Sequence, residues 1–191
     1  MTFMSGYAEL AVTTNYSFLR GASHPGQFVE EANKLGYAAI GIADRNSLAG
    51  IVRAYDAGQK LKPGTPPRLL VGARLVFRDG TPDILAYPQD RAAYGRLCQL
   101  LSLGKSRAPK GECFLDLADL MAYREGLLAI VMPAANPESA RTALMQFHGP
   151  VWLAASMLYD GEDRRRLREL QKLAQETGAR LIAVNDALYH S

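Results

Sequence analysis

The feature that most constrains the fold is a repeat of short apolar runs, each followed by a segment with helical spacing. Residues 38–43 are apolar throughout, with no polar alternation, which is typical of a strand buried on both faces. The polar residues Asp44 to Ser47 follow directly, and a helical pattern comes next. Buried strands alternating with helices predict an α/β fold, with a parallel sheet and the helices outside it.

The same periodicities divide the rest of the chain. Strands are predicted at residues 7–13, 38–43, 68–77, 83–87, 127–132, 150–155 and 180–184, with the last one buried. Helices are predicted from an N-cap at Ser23 to a stop at Gly36, and at residues 48–60, 90–103, 115–123, 137–147 and 163–177. Helix 48–60 carries Leu48, Ile51, Val52 and Tyr55 on one apolar face. Residues 78–81 predict a hairpin turn.

Domain organisation is predicted from the lack of any linker, so we expect one domain over residues 1–191. The last predicted strand lies close to residue 191. We therefore expect that the chain continues and that further strands or a closing helix lie outside this sequence.

Charge and cysteine content restrict the function only mildly. The formal net charge of +3 allows a nucleic-acid partner without favouring one. Cys98 and Cys113 lie far apart and make no metal-binding pattern, which fits reduced thiols in the cytosol. No signal peptide and no run long enough to span a bilayer is visible, so we expect a cytoplasmic protein without a membrane partner.

Polar residues at the carboxyl ends of the predicted strands mark the expected site, because chemistry in α/β folds lies just past those ends. Examples are Thr13 to Asn15, Asp44 with Arg45, and Asn185 with Asp186.

Four segments carry a resemblance to a known family: NYSFLRGASHP, AIGIADRNSLAGIVRAYDAG, LLVGARLVF and LAYPQDRAAYGRLCQLLSLGK. They resemble the PHP (polymerase and histidinol phosphatase) domain at the N-terminus of bacterial C-family, DnaE-type DNA polymerases. The motif ADRNSLAG with LVGARLVFRDG resembles the error-prone, damage-inducible branch. The resemblance covers nearly the whole chain and implies an irregular, TIM-like (β/α) barrel, incomplete if strands lie beyond residue 191.

Active PHP domains hold up to three metal ions with histidines and carboxylates, and the ions activate a water that attacks a phosphoester. The matching positions here are Glu9, Ala11, Thr13, Asp44, Arg45, Arg74, Ser156, Leu158, Asp186 and Leu188. Only Glu9, Asp44 and Asp186 keep a carboxylate. Since Zn²⁺ needs three or four ligands in defined geometry, we predict no catalytic residue, no metal and no other cofactor in this domain. The parent polymerase would use Mg²⁺.

The remaining charges at these positions suggest a replacement for the cations. We predict that Arg45 or Arg74 pairs with Asp44, Asp186 or Glu9, because a guanidinium matches carboxylate geometry and stays charged when partly buried. The plainer interpretation makes the arginines surface charges. For Asp44 and Asp186 we favour the plainer interpretation, in which they cap the following helix or turn. Tyr16 and Phe18 are expected to pack over the barrel end.

A basic loop at residues 104–111 is the candidate contact for nucleic acid or a partner, through Lys105, Arg107 and Lys110. An ordinary solvated loop is the competing interpretation.

The resemblance implies a catalytically degenerate PHP domain with a structural and protein-interaction role in an error-prone DNA polymerase acting in repair and translesion synthesis. Its partners would be the remainder of the polymerase chain, other repair or replication proteins, and DNA through the parent protein. Two alternatives stay open: a metal-dependent phosphoesterase or nuclease with a reduced carboxylate site, and a stand-alone interaction module.

Overall fold

The predicted alternation of strands and helices is present in the computed structural model, which describes residues 6–61, 67–133 and 137–190. The α/β fold class is therefore confirmed. The chain divides into two compact units. The first contains residues 1–73 and 185–191, and the second contains residues 74–184.

The first unit contains a parallel pair of strands. It contains β1 (Ala8–Val12), α1 (Pro25–Lys34), β2 (Ala39–Arg45), α2 (Ile51–Lys60) and β3 (Arg68–Leu75) as far as residue 73. In the parallel β1–β2 ladder Ala8 lies opposite Ala39 and Val12 opposite Ile42. The first six residues of β2 are buried, as the unbroken apolar run predicts. The core of this unit comprises Val12, Phe28, Val29, Ala32, Ile40, Ile42 and Ala54.

The second unit contains the other strands. Its elements are β4 (Ile84–Pro88), α3 (Arg91–Ser106), α4 (Leu117–Tyr123), β5 (Leu127–Val131), α5 (Pro137–Met145), β6 (Val151–Ala155), α6 (Asp163–Thr177) and β7 (Arg180–Ala183). Strands β5, β6 and β7 are parallel, but β4 is antiparallel to β5. The sheet is therefore mixed, and the antiparallel strand is the one that follows the hairpin turn predicted at residues 78–81, where Gly80 has φ +83°.

Two details of the first helices differ from prediction. The N-cap of α1 is His24 rather than Ser23, and Gln27 Oε1 accepts a hydrogen bond from His24 N at 2.7 Å. Helix α2 begins at Ile51, which packs against the core, but the other helical residues of its predicted apolar face are exposed. Val52 is 73% exposed and Tyr55 is 59% exposed, whereas Ala54 is fully buried. Spacing locates an apolar stripe but does not say what covers it.

The expectation that strand β7 is buried is wrong. Its four residues range from intermediate to exposed, and only Val184 directly after it is buried. Within the described ranges, no helix combines the length and hydropathy that a membrane crossing requires.

The end of α3 also corrects the predicted basic loop, whose first three residues are helical. Gly104 is buried on this last turn, and its carbonyl accepts a hydrogen bond from Phe114 N at 2.9 Å. A Cβ at residue 104 would lie 2.6 Å from Cys113 Sγ and 2.7 Å from Leu115 Cδ2. Because glycine has no side chain, residues 113–115 can lie directly against the helix.

We therefore predict opposite effects for the two glycines of α3. Gly104→Ala should destabilise the fold by about 1–3 kcal/mol, because the new methyl group overlaps Cys113 and Leu115. At Gly95, in the same helix, a methyl group would meet no neighbour within 4 Å, so Gly95→Ala should stabilise the fold by up to about 1 kcal/mol. Urea unfolding of both variants tests the pair, and equal effects would contradict the packing described.

Candidate functional site

Asp44 is the centre of the site in the first unit. It lies near the end of β2, is 1% exposed, and accepts three hydrogen bonds from the loop that follows β1. Oδ1 accepts from Thr14 N at 2.8 Å and from Ser17 Oγ at 2.7 Å. Oδ2 accepts from Thr14 Oγ1 at 2.8 Å. Asp44 therefore holds the loop that follows β1 in place, and whether it also caps the following helix or turn stays a prediction.

The loop is drawn close to Asp44 by its own polar atoms and by two glycines. Ser17 Oγ, which donates to Asp44, accepts from Arg45 N at 2.9 Å. A Cβ at Gly50 would lie 2.7 Å from Asp44 Oδ2, and a Cβ at Gly21 would lie 2.1 Å from the Thr14 carbonyl oxygen. Only glycine permits this approach at either position.

Glu9 is a second buried carboxylate, 3% exposed, and it too is fully engaged. The β1–β2 register shifts between Glu9 and Val12, and Oε1 accepts from Ala11 N at 2.8 Å at this irregularity. Oε2 accepts from Tyr7 Oη at 2.7 Å and from Asn185 N at 2.8 Å. Glu9 thus satisfies a strand amide at the bulge and ties β1 to the segment after β7.

Tyr7 completes this second cluster. Burial raises the pKa of its phenol well above the usual value, and the hydrogen bond to Glu9 raises this pKa further. The ring meets Tyr37 edge-on, with 5.0 Å between centroids, and its oxygen accepts from Asn185 Nδ2 at 3.1 Å. Tyr7 therefore acts as a neutral donor that partly offsets the buried charge of Glu9.

The segment from Asn185 to His190 is bound along the end of β1 and its loop. Ala187 O accepts from Thr13 N at 2.9 Å, and Leu188 O accepts from Ala22 N at 2.8 Å. His190 N donates to Ser23 Oγ at 3.0 Å. This pairing brings Asp186 and Leu188 into the same unit as Glu9 and Asp44.

The other predicted positions of the first unit vary in exposure. Ala11 and Thr13 are buried, Arg45 and Asp186 are partly buried, and Leu188 is 37% exposed. Asp186 has φ +51°, in the left-handed region.

In the second unit Arg74 is buried, with Nη1 3.7 Å from Asp83 Oδ2. Ser156 is partly buried and Leu158 is 60% exposed. Compensation of the carboxylates by Arg45 or Arg74 stays a prediction.

The basic segment of the second unit is more structured than predicted. Lys105 lies in the last turn of α3, and Arg107 Nη1 donates to both carboxylate oxygens of Asp119 at 2.9 Å. Lys110 is exposed. Since Asp119 holds the Arg107 guanidinium, Lys105 and Lys110 are the more available cations. Their contact with nucleic acid or a partner stays a prediction.

The residues present do not fit the metal cluster that the family resemblance implies. Protein donors already engage all four carboxylate oxygens of Glu9 and Asp44. Thr13 Oγ1 is buried without a hydrogen-bond partner among the described residues, but one neutral hydroxyl cannot replace three or four Zn²⁺ ligands. Across residues 6–61, 67–133 and 137–190, no three His, Cys, Asp or Glu side chains are grouped to hold a metal.

Comparison with known proteins decides the family. A family model described as the PHP domain matches residues 9–187. This chain belongs to the PHP domain family. The predicted PHP-type α/β fold is thereby confirmed, and the site described above occupies the strand ends of a PHP domain.

Several similar relatives are long proteins named error-prone DNA polymerase. The PHP domain is 55% identical over 190 residues to that of Rhodopseudomonas palustris strain BisB5, covering 96% of this chain and 17% of that protein. Identity is 52% over 195 residues to that of Bradyrhizobium diazoefficiens, covering 96% and 17%. It is 46% over 193 residues to that of Brucella abortus, covering 98% and 18%. The chain thus spans about a sixth of the length of these relatives.

Solved structures share the fold at low identity. A putative metal-dependent phosphoesterase from Bifidobacterium adolescentis has a TM-score of 0.66 and 15% identity, covering 96% of this chain and 87% of that chain. An amidohydrolase from Chromobacterium violaceum, solved with sulfate and no metal, has a TM-score of 0.65 and 13% identity, covering 95% and 87%. At this identity the likeness concerns the fold alone.

The sequence places Thr14 and Asn185 at predicted strand ends, but it did not show that these residues, Ser17 and Tyr7 donate hydrogen bonds to the carboxylates. Thr14 and Ser17 lie in the polar run after β1, and that run was the available signal. Tyr7 and Asn185 both contact Glu9 although they are 178 residues apart in sequence. No local sequence pattern predicts a contact at that separation.

We predict that Asp44 is needed for stability. Asp44→Ala should lower the free energy of unfolding by about 2–5 kcal/mol, because it leaves the Thr14 amide and two hydroxyls buried without an acceptor. The control is Asp56→Ala, since Asp56 is exposed on α2 and pairs with the exposed Lys60; its effect should stay within about 0.5 kcal/mol. Chemical denaturation measures both, and similar losses would refute the central position of Asp44.

A second prediction concerns Tyr7. Because its pKa is raised in the folded state, its contribution to stability is present below pH about 10 and is lost as the pH rises above the unfolded value. Tyr7→Phe should cost about 1–2 kcal/mol at neutral pH and reduce the loss of stability in alkali. Tyr55→Phe, at an exposed position, should change neither. Unfolding curves at pH 7 and above pH about 10 provide the test; an alkaline profile unchanged by Tyr7→Phe would contradict it.

Proposed function

We propose that this PHP domain is a catalytically inactive part of an error-prone DNA polymerase that acts in repair and translesion synthesis. The observation that carries the proposal is the engagement of Glu9 and Asp44 by protein hydrogen-bond donors, in a chain whose similar relatives bear that polymerase name. A carboxylate that already accepts hydrogen bonds must lose them before it can coordinate a cation.

The proposed role of the domain is structural, with contacts to the remainder of the polymerase chain and to other repair or replication proteins. In this proposal the nucleotidyl transfer and its Mg²⁺ belong to the parent polymerase, and DNA is contacted through it. The domain itself uses no cofactor, and the protein is cytoplasmic.

Metal analysis with an activity assay tests the inactive site. Protein purified without chelator should carry far less than one transition-metal ion per chain, and EDTA should leave its melting temperature unchanged. It should not hydrolyse a phosphodiester substrate in the presence of Mn²⁺ or Zn²⁺. Stoichiometric metal with turnover that Asp186→Ala abolishes would instead establish a reduced-site phosphoesterase.

The length of the reading frame tests whether this domain belongs to a longer polymerase. We expect the gene to continue well beyond Ser191 and the full product to extend a primer on a DNA template. A stop codon directly after Ser191 would favour a stand-alone interaction module.

A further inference from the structure

The loop fastened by Asp44 carries two of the most exposed apolar side chains of the first unit. Phe18 is 85% exposed and Leu19 is 87% exposed. The expectation that Phe18 packs over the barrel end is therefore wrong. Tyr16, 41% exposed, lies beside this apolar tip in the same loop. Side chains of this kind, exposed together on one short loop, are a common feature of protein interaction sites.

The backbone of the apolar tip is held in an unfavourable conformation. Leu19 has φ +60°, in the left-handed region that a γ-branched residue adopts only when its surroundings impose it. The turn is closed by hydrogen bonds from Arg20 N at 2.9 Å and Gly21 N at 3.2 Å, both to the Ser17 carbonyl. Ser17 also donates through its hydroxyl to Asp44. Strain at an exposed apolar residue, maintained by a buried anchor, indicates a feature kept for contact rather than for folding.

We infer that Phe18 and Leu19, held out by Ser17 and Asp44, insert into an apolar pocket on the part of the polymerase chain that lies outside the PHP domain. The inference rests on the proposed function. Two observations favour this partner: the curated relatives have about five-sixths of their length outside the region that this chain matches, and the tip is apolar rather than charged.

The charge of the first unit disfavours nucleic acid as the partner. Its residues include seven Lys or Arg and six Asp or Glu, so the unit is close to neutral. Nucleic-acid affinity comes largely from phosphate contacts with clustered basic residues, and Arg20 is the only lysine or arginine between Thr13 and Lys34. Insertion of apolar side chains into a protein pocket needs no such charge.

Site-specific crosslinking in the full-length protein tests the inference. A photoreactive phenylalanine, p-benzoyl-phenylalanine, replaces Phe18, and the crosslinked peptides are identified by mass spectrometry. We expect crosslinks to residues beyond Ser191 of the same polypeptide, with a yield that dilution does not change. The matched control places the same group at Tyr55, which is exposed on α2 of the same unit, and should give a severalfold lower yield.

A second measurement covers the anchor. Ser17→Ala keeps both apolar side chains but removes one donor to Asp44, so it should lower the crosslink yield from position 18 severalfold while circular dichroism stays unchanged. An unchanged yield would show that Ser17 does not position the tip.

The other outcomes overturn the docking. Crosslinks to a second copy, crosslinks only to added DNA, or a yield no higher than that from position 55 would each do so. If a long chain extends primers but position 18 does not crosslink within it, the docking fails while the proposed polymerase remains. If the reading frame stops at Ser191, the proposed polymerase function is wrong, and the docking inference that rests on it is wrong as well.

Discussion

The hydrogen bonding of one buried carboxylate organises the first unit. Asp44 accepts hydrogen bonds from the Thr14 amide and from the hydroxyls of Thr14 and Ser17. These bonds determine the path of the loop after β1. An anion this deep in a protein would be costly without compensation. Here the compensation comes from the amide and hydroxyl groups of the loop itself. The loop must therefore fold for the carboxylate to be hydrogen-bonded.

Glu9 repeats this arrangement with different partners. It accepts hydrogen bonds from the amide at the β1 bulge, the Tyr7 phenol and the Asn185 amide. It thereby connects the beginning of the described chain to its end. In the family resemblance both positions correspond to metal ligands. The protein donors supply positive potential to the carboxylate oxygens, as a bound cation would. Nearby donors thus stabilise both buried carboxylates at this end of the strands.

The loop after β1 also determines what the surface near Asp44 presents. A coordinated metal cluster requires open, polar access for water and substrate. The loop described here instead crosses close to Asp44, with Gly21 and Gly50 permitting the approach, and presents Phe18 and Leu19 outward. The strand ends thus carry features of a contact surface, which agrees with the structural and interaction role proposed for the domain.

The sequence by itself determined the α/β class, because runs such as residues 38–43, repeated between helical segments, are best satisfied as strands buried on both faces. Through the family resemblance it also predicted altered ligand positions, since Ala11, Thr13 and Leu188 have no imidazole. Tertiary structure decided what the retained carboxylates do. The donors to Glu9 include Tyr7 and, at the opposite end of the described chain, Asn185. Contacts between segments so far apart produce no hydrophobic periodicity in the sequence. It also decided which apolar residues stay exposed, because the exposure of Phe18 depends on what else approaches that surface.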